Sequence, residues 1–91
     1  MAHNFKILMY RTIDNLHINL KGDFDGSSAF ELLNTLKENW NGTKRILIDT
    51  NNLKRIYPFG QEVFDHNLSK LMGHQIRIQF IGPNTLRNAP A

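Results

Sequence analysis

Leu16, Ile18 and Leu20 alternate with His17, Asn19 and Lys21, and Ile76, Ile78 and Phe80 alternate with Arg77 and Gln79. Strict alternation gives a strand one apolar and one polar side, the pattern of a sheet covered on one face only. Phe5, Ile7 and Met9 alternate more loosely with Lys6, Leu8 and Tyr10, which predicts a further strand. Arg45-Ile46-Leu47-Ile48 is short, β-branched and apolar on both sides, as a central strand is. Two other segments have helical spacing. Ala29, Leu32, Leu33, Leu36 and Trp40 make one stripe on an α-helix, with Ser28 and Glu31 as a capping box at its start and Asn41-Gly42 as its stop. Phe64, Leu68, Leu71 and Met72 repeat the stripe in a second helix that Gly73 would close. No Ser, Thr, Asp or Asn precedes it in Tyr57-Pro58-Phe59-Gly60, so Pro58 is expected as its first residue, where a missing N–H costs nothing.

The predicted order is strand, strand, helix, strand, helix, strand. The first two strands form a hairpin around Arg11 to Asn15, and the helical crossovers make the later strands parallel. Crossovers of one hand put both helices on one face, in agreement with the polar sides of the alternating strands. The expected fold is a single small α/β domain over residues 1–91. It has a four-stranded mixed sheet in the order 1-2-3-4, first strand antiparallel, and helices stacked mainly on one face.

Composition narrows the function. At 91 residues, folding hides only about 60–65% of the unfolded chain's surface, so the core must be compact. No apolar run exceeds the four residues from Ile7 to Tyr10, which predicts neither a membrane span nor a signal core. The absence of cysteine removes disulfides, thiolate catalysis and sulfur-ligated zinc, and fits a cytoplasmic location. The triplets Asn41-Gly42-Thr43 and Asn67-Leu68-Ser69 then read as chance rather than glycosylation sites. Eleven Lys and Arg against eight Asp and Glu give +3, with Lys44-Arg45 and Lys54-Arg55 the only adjacent basic pairs. That permits, without requiring, attraction to polyanions.

Catalytic signatures are missing. There is no phosphate-cradling glycine loop and no Gly-x-Ser-x-Gly elbow. His3, His17, His66 and His74 have no metal-ligand spacing, and Asp65-His66 are helix neighbours that diverge by about 100°. Asp23 and Asp25 read as a solvated turn before a helix start, which favours negative charge. The polar sheet side would carry His17, Asn19, Lys21, Arg77 and Gln79, without the aromatic rings of an RNA-binding sheet. No enzyme, metal, cofactor, nucleic acid or membrane is expected.

Gly22-Asp23-Phe24-Asp25, Ser27-Ser28-Ala29, Ile46-Leu47-Ile48-Asp49 and Phe59-Gly60, in that order and spacing, resemble the STAS domain. That family comprises bacterial anti-sigma-factor antagonists and the cytoplasmic tails of sulfate transporters. The resemblance covers residues 14 to 82 and implies the same element order. It also implies a short loop after Asp49, and a final helix that could come here only from Pro83 to Ala91, reduced to a turn or missing. In the family, Asp-Ser-Ser/Thr-Gly opens the second helix, and in partner-switching members its serine is phosphorylated by a kinase that is also an anti-sigma factor. Counting back from Gly60, those positions are Tyr57, Pro58 and Phe59, and Pro58 has no hydroxyl to modify. Asp25 matches the family's acidic position.

The resemblance implies a non-catalytic regulatory module, anti-sigma-factor-antagonist-like, that binds another protein without phosphorylation at the usual place. The partner would be a kinase-like anti-sigma factor or other signalling protein, and the chain a monomer or weak homodimer. The implied surface is Arg55, Ile56, Tyr57, Pro58, Phe59 and Gly60, with Lys54 beside it; alternatively, Ile56 and Phe59 turn inward and plug the end of the sheet. Two other readings remain open. One is a module phosphorylated at Ser27, Ser28 or Thr50; the other is a small-ligand or nucleotide cleft near Asp23, Asp25, Asp49 and Thr50.

Overall fold

A computed structural model of the chain describes residues 4–72, 77–82 and 86. The elements are β1 (Lys6–Arg11), β2 (Asn15–Phe24), α1 (Gly26–Asn39), β3 (Arg45–Ile56), α2 (Pro58–Met72) and β4 (Arg77–Ile81). The sheet order is β1-β2-β3-β4. β1 and β2 are an antiparallel hairpin, with Ile7 opposite Leu20 and Met9 opposite Ile18, and β2–β3 and β3–β4 are parallel. Residues that alternate in the sequence alternate in burial: Leu16, Ile18, Leu20 and Phe24 of β2 are buried, as are Ile46 and Ile48 of β3. They form one cluster with Ala29, Leu32, Leu33 and Leu36 of α1 and Phe64 and Leu68 of α2, so both helices cover the same side of the sheet. Leu86, otherwise flanked by undescribed positions, is fully buried in that cluster. Gly73 as a helix stop, Ile76, and a final helix within 83–91 apart from Leu86 lie outside the described residues.

The chain departs from expectation in two places. β3 does not end near Asp49; it runs to Ile56, so only Tyr57 separates it from α2. Two bulges make this possible. Asn19 pairs with Asp49, Lys21 with Asn52 and Asp23 with Arg55, so β3 absorbs one extra residue at each step. Asp, Asn and Lys have weak strand preference, and Asp49-Thr50-Asn51-Asn52 therefore reads as a turn until pairing with β2 overrides it. The cap of α1 is also displaced. Asp25, with extended backbone, accepts a hydrogen bond from Ser28 N, and Ser28 is already inside the helix. α2 begins at Pro58 as expected.

Gly22 fixes the end of β2. Its φ is +89°, and a Cβ there would stand 2.3 Å from the backbone oxygen of Asn4. Asn4 in turn accepts the N–H of Asp23 on its side-chain oxygen at 3.3 Å.

Candidate functional site

The carboxyl ends of β2 and β3 lead into the two helices at the same end of the sheet, so the starts of α1 and α2 meet. Tyr57 N donates to Phe24 O at 2.9 Å, tying one turn to the other. Gly60 closes the junction: it is buried, and a Cβ there would lie 2.8 Å from the carbonyl carbon and oxygen of Asp25. Its place is in the packing of the two helix starts, not on an exposed surface. Ile56 is half-buried and packs against the core, so it turns inward. Tyr57 and Phe59 do not. They remain 41% and 65% exposed, beside exposed Arg55 and Pro58. Phe59 lies close over Gly26 at the first turn of α1, where an added Cβ would come within 2.8 Å of its ring.

Phe59 also borders a recess of about 430 Å³ along α2, with Glu62, Val63, Asp65, His66 and Asn67. Asn67 is shared with a second recess, of about 300 Å³, lined by Phe30, Leu33, Asn34, Lys37 and Lys70. Phe30 is exposed as well, so an aromatic, partly apolar surface runs from the Tyr57 turn into the furrow between the helices. Arg55 hydrogen-bonds Tyr57, and that bond first, then charge at Tyr57 and Asp23, holds the guanidinium above its ordinary range. Asp23 and Arg55 are cross-strand partners.

Asp25 organises the other half of the junction. Its Oδ1 accepts from Ser28 N at 2.9 Å and from Ser27 Oγ at 3.0 Å, and Ser28 Oγ lies 2.9 Å from it and 3.0 Å from Asp23 O. The Ser28 N–H bond is the largest influence and, with the two hydroxyls, outweighs desolvation, lowering the carboxyl from 3.8 to about 2. Because the folded value lies below the unfolded one, Asp25 stabilises the fold fully above pH 3.8, and the contribution disappears as pH falls towards 2. Asp25→Ala should therefore cost about 1 kcal/mol at pH 7. The gap between variant and wild type in urea unfolding should narrow between pH 4 and pH 2; a gap that persists unchanged would mean the carboxylate charge is not what caps α1.

The other candidate residues are not brought together. Asp49 pairs with Asn19, four residues before Asp23 along β2 and so about 13 Å away, and it accepts from Asn51 N and Asn51 Nδ2, both at 2.9 Å. Thr50 is fully buried, with its hydroxyl donating to Ile81 O at 3.2 Å. Asp23, Asp25, Asp49 and Thr50 therefore do not line one cleft. Among the candidate hydroxyls, Ser28 and Thr50 are buried and Ser27 is exposed. Among the described residues, no three His, Asp or Glu side chains gather as a metal site, and no helix is long and apolar enough to cross a membrane. Phe30 had no signal in the sequence. It stands beside the buried stripe of α1 and matters only because α2 is laid next to it.

No protein-family model matches the chain, and no curated protein matches it. Solved structures do. The unphosphorylated anti-sigma factor antagonist SpoIIAA aligns with a TM-score of 0.65 at 14% identity, over 89% of this chain and 74% of its own. The STAS domain of an antisigma-factor antagonist from Rhodobacter sphaeroides aligns with a TM-score of 0.61 at 14% identity, over 85% of this chain and 87% of its own. This chain has a STAS-like fold. The same fold recurs inside a larger protein, Mglu, with a TM-score of 0.73 at 18% identity; 84% of this chain corresponds to 19% of that one.

Proposed function

We propose that the protein is a non-catalytic regulatory module, of the anti-sigma-factor-antagonist kind, that docks another protein on the Tyr57 turn and the start of α2. The observation that carries this reading is the exposure of Tyr57 and Phe59 at the junction of two helix starts. That junction is held by the Tyr57–Phe24 backbone bond and the close approach of Gly60 to Asp25. Large aromatic and Arg side chains on a fixed scaffold are the groups that most often dominate protein interfaces, because they bury much area with little entropy to lose. Arg55, Tyr57, Pro58 and Phe59 offer that combination, and the furrow past Phe30 extends the surface. Pro58 has no hydroxyl, so binding here is governed by occupancy rather than by a phosphate at the start of α2. A cytoplasmic setting and a signalling partner, such as a kinase-like anti-sigma factor, go with this reading.

The test is the double variant Tyr57→Ala, Phe59→Asp beside Glu38→Ala, which changes an exposed position on the last turn of α1. With the partner captured from native extract and then purified, the double variant should bind at least about 100-fold more weakly, since two anchor residues together contribute several kcal/mol. Glu38→Ala should bind like wild type, and all three should give the same circular dichroism. Equal affinity for double variant and wild type would place the interface elsewhere.

A further inference from the structure

The side of the sheet away from the helices carries a second, unrelated arrangement. Strand register builds it in rows. Asn15, Arg45 and Arg77 are neighbours across β2, β3 and β4, and in the next row on that side Tyr10, His17, Leu47 and Gln79 are neighbours across all four strands. Arg45 and Arg77 stand side by side and exposed. With Lys44, Asn15 and Asp14 they line a recess of about 420 Å³, three cations facing one carboxylate. The three cations outnumber the single Asp14 carboxylate, so the recess keeps a net positive charge that a further anion would neutralise. One row away, about 7 Å along the strands, the Tyr10 and His17 rings stack at 4.4 Å with their planes 5° apart. They border a recess of about 320 Å³ with Ile18, Leu47, Ile81, Asn19 and Asp49.

We propose that this face binds a free nucleoside monophosphate. The base lies against the Tyr10–His17 stack and Leu47, where aromatic faces hold a flat ring by stacking. Asp49 and Asn19 at the rim offer oxygens to N–H groups on the base edge. The phosphate occupies the basic recess, where planar guanidinium groups pair with its oxygens and Lys44 adds charge. One ring pair beside one basic recess accommodates one base and one phosphate. Beyond the aromatic row the same face carries Leu8, Asn19, Asp49 and Ile81 and then the Lys6–Lys21 pair, with no further aromatic ring among the described residues on which a second base could stack. The ligand is therefore a single nucleotide and not a strand. The register creates this site: Tyr10 and His17 lie on opposite strands of the hairpin, and Arg45 and Arg77 are 32 positions apart.

The experiment is an amide-shift titration of the whole chain with each of the common 5′-nucleoside monophosphates, with adenosine, with inorganic phosphate, and with a hexa-adenylate RNA. At least one monophosphate should give saturable shifts centred on Tyr10, His17, Arg45, Leu47 and Arg77, while adenosine and phosphate alone bind much more weakly. Arg45→Gln with Arg77→Gln should weaken the monophosphate at least about tenfold through the lost charged hydrogen bonds. Tyr10→Ala should weaken it about tenfold through lost stacking. Both variants change exposed side chains and should keep the wild-type melting profile within a few degrees. Silence with every monophosphate, shifts centred elsewhere, or phosphate binding as tightly as the nucleotide would overturn the proposal. So would tighter binding of the hexa-adenylate with a steep salt dependence, which would make the face a strand-binding surface instead.

Discussion

Phe24→Ala should destabilise the fold by about 4 kcal/mol, a loss set by the cavity that a fully buried ring leaves behind. Phe24 is completely buried at the end of β2 and sits in a relay of edge-on rings. Its centroid is 5.8 Å from that of Phe5 at 67° and 6.1 Å from that of Phe64 at 82°, and Phe64 continues to Phe80 at 6.4 Å and 76°. The relay joins the segment before β1 to β2, α2 and β4, so truncating Phe24 removes packing from several elements at once. Perpendicular rings gain beyond their buried area, which places this substitution at the upper end of the usual range. Domains of this size are stable by about 5–15 kcal/mol, so the variant should be largely unfolded at a urea concentration that wild type tolerates. Phe24→Leu, which keeps most of the volume, should lose about 1.5 kcal/mol. Equal losses for the two variants would mean that the relay contributes nothing as a set of rings.

Gly22→Ala should cost about 3 kcal/mol, from two causes that can be separated. The left-handed φ of +89° is strained for any residue with a Cβ, by about 1–2 kcal/mol. The Cβ must also displace the backbone oxygen of Asn4 from 2.3 Å, an overpacking strain of about 1–3 kcal/mol. Gly42 supplies the control: its φ is +80°, but a Cβ there meets nothing within 4 Å. Gly42→Ala should show the backbone cost alone, about 1–2 kcal/mol. Denaturant unfolding of both variants measures the difference; equal losses would show that Asn4 yields without cost.

The parts of the structure visible in the sequence are those set by local periodicity. Leu16, Ile18 and Leu20 alternate because one side of β2 is buried, and the Ala29–Leu36 stripe follows from α1 lying on that side. These patterns were enough for the strand order, the antiparallel hairpin and the placement of both helices on one face. What the sequence hid depends on pairing between distant residues. The second half of β3 is polar and becomes a strand only because two bulges let Asn52 and Arg55 find Lys21 and Asp23. The Tyr10–His17 stack and the Arg45–Arg77 pair are products of register, and no spacing along the chain announces them. At the candidate site, the exposure of Tyr57 and Phe59 agrees with an aromatic turn placed before a helix. The inward turn of Ile56 and the burial of Gly60 and Ser28 follow from how closely the two helix starts approach, and Thr50 is buried by the end of β4, where it bonds Ile81; local pattern encodes neither distance.

We propose the Tyr57 turn and the start of α2 as the surface on which a partner docks. Photo-crosslinking in cells tests it most directly, with benzoylphenylalanine placed at position 59 in one protein and at position 38, on the last turn of α1, in another. Docking at this turn should give a discrete crosslinked adduct with one protein from position 59, weakened by Tyr57→Ala, and no such adduct from position 38. The same adduct from both positions, or from position 38 alone, would contradict it.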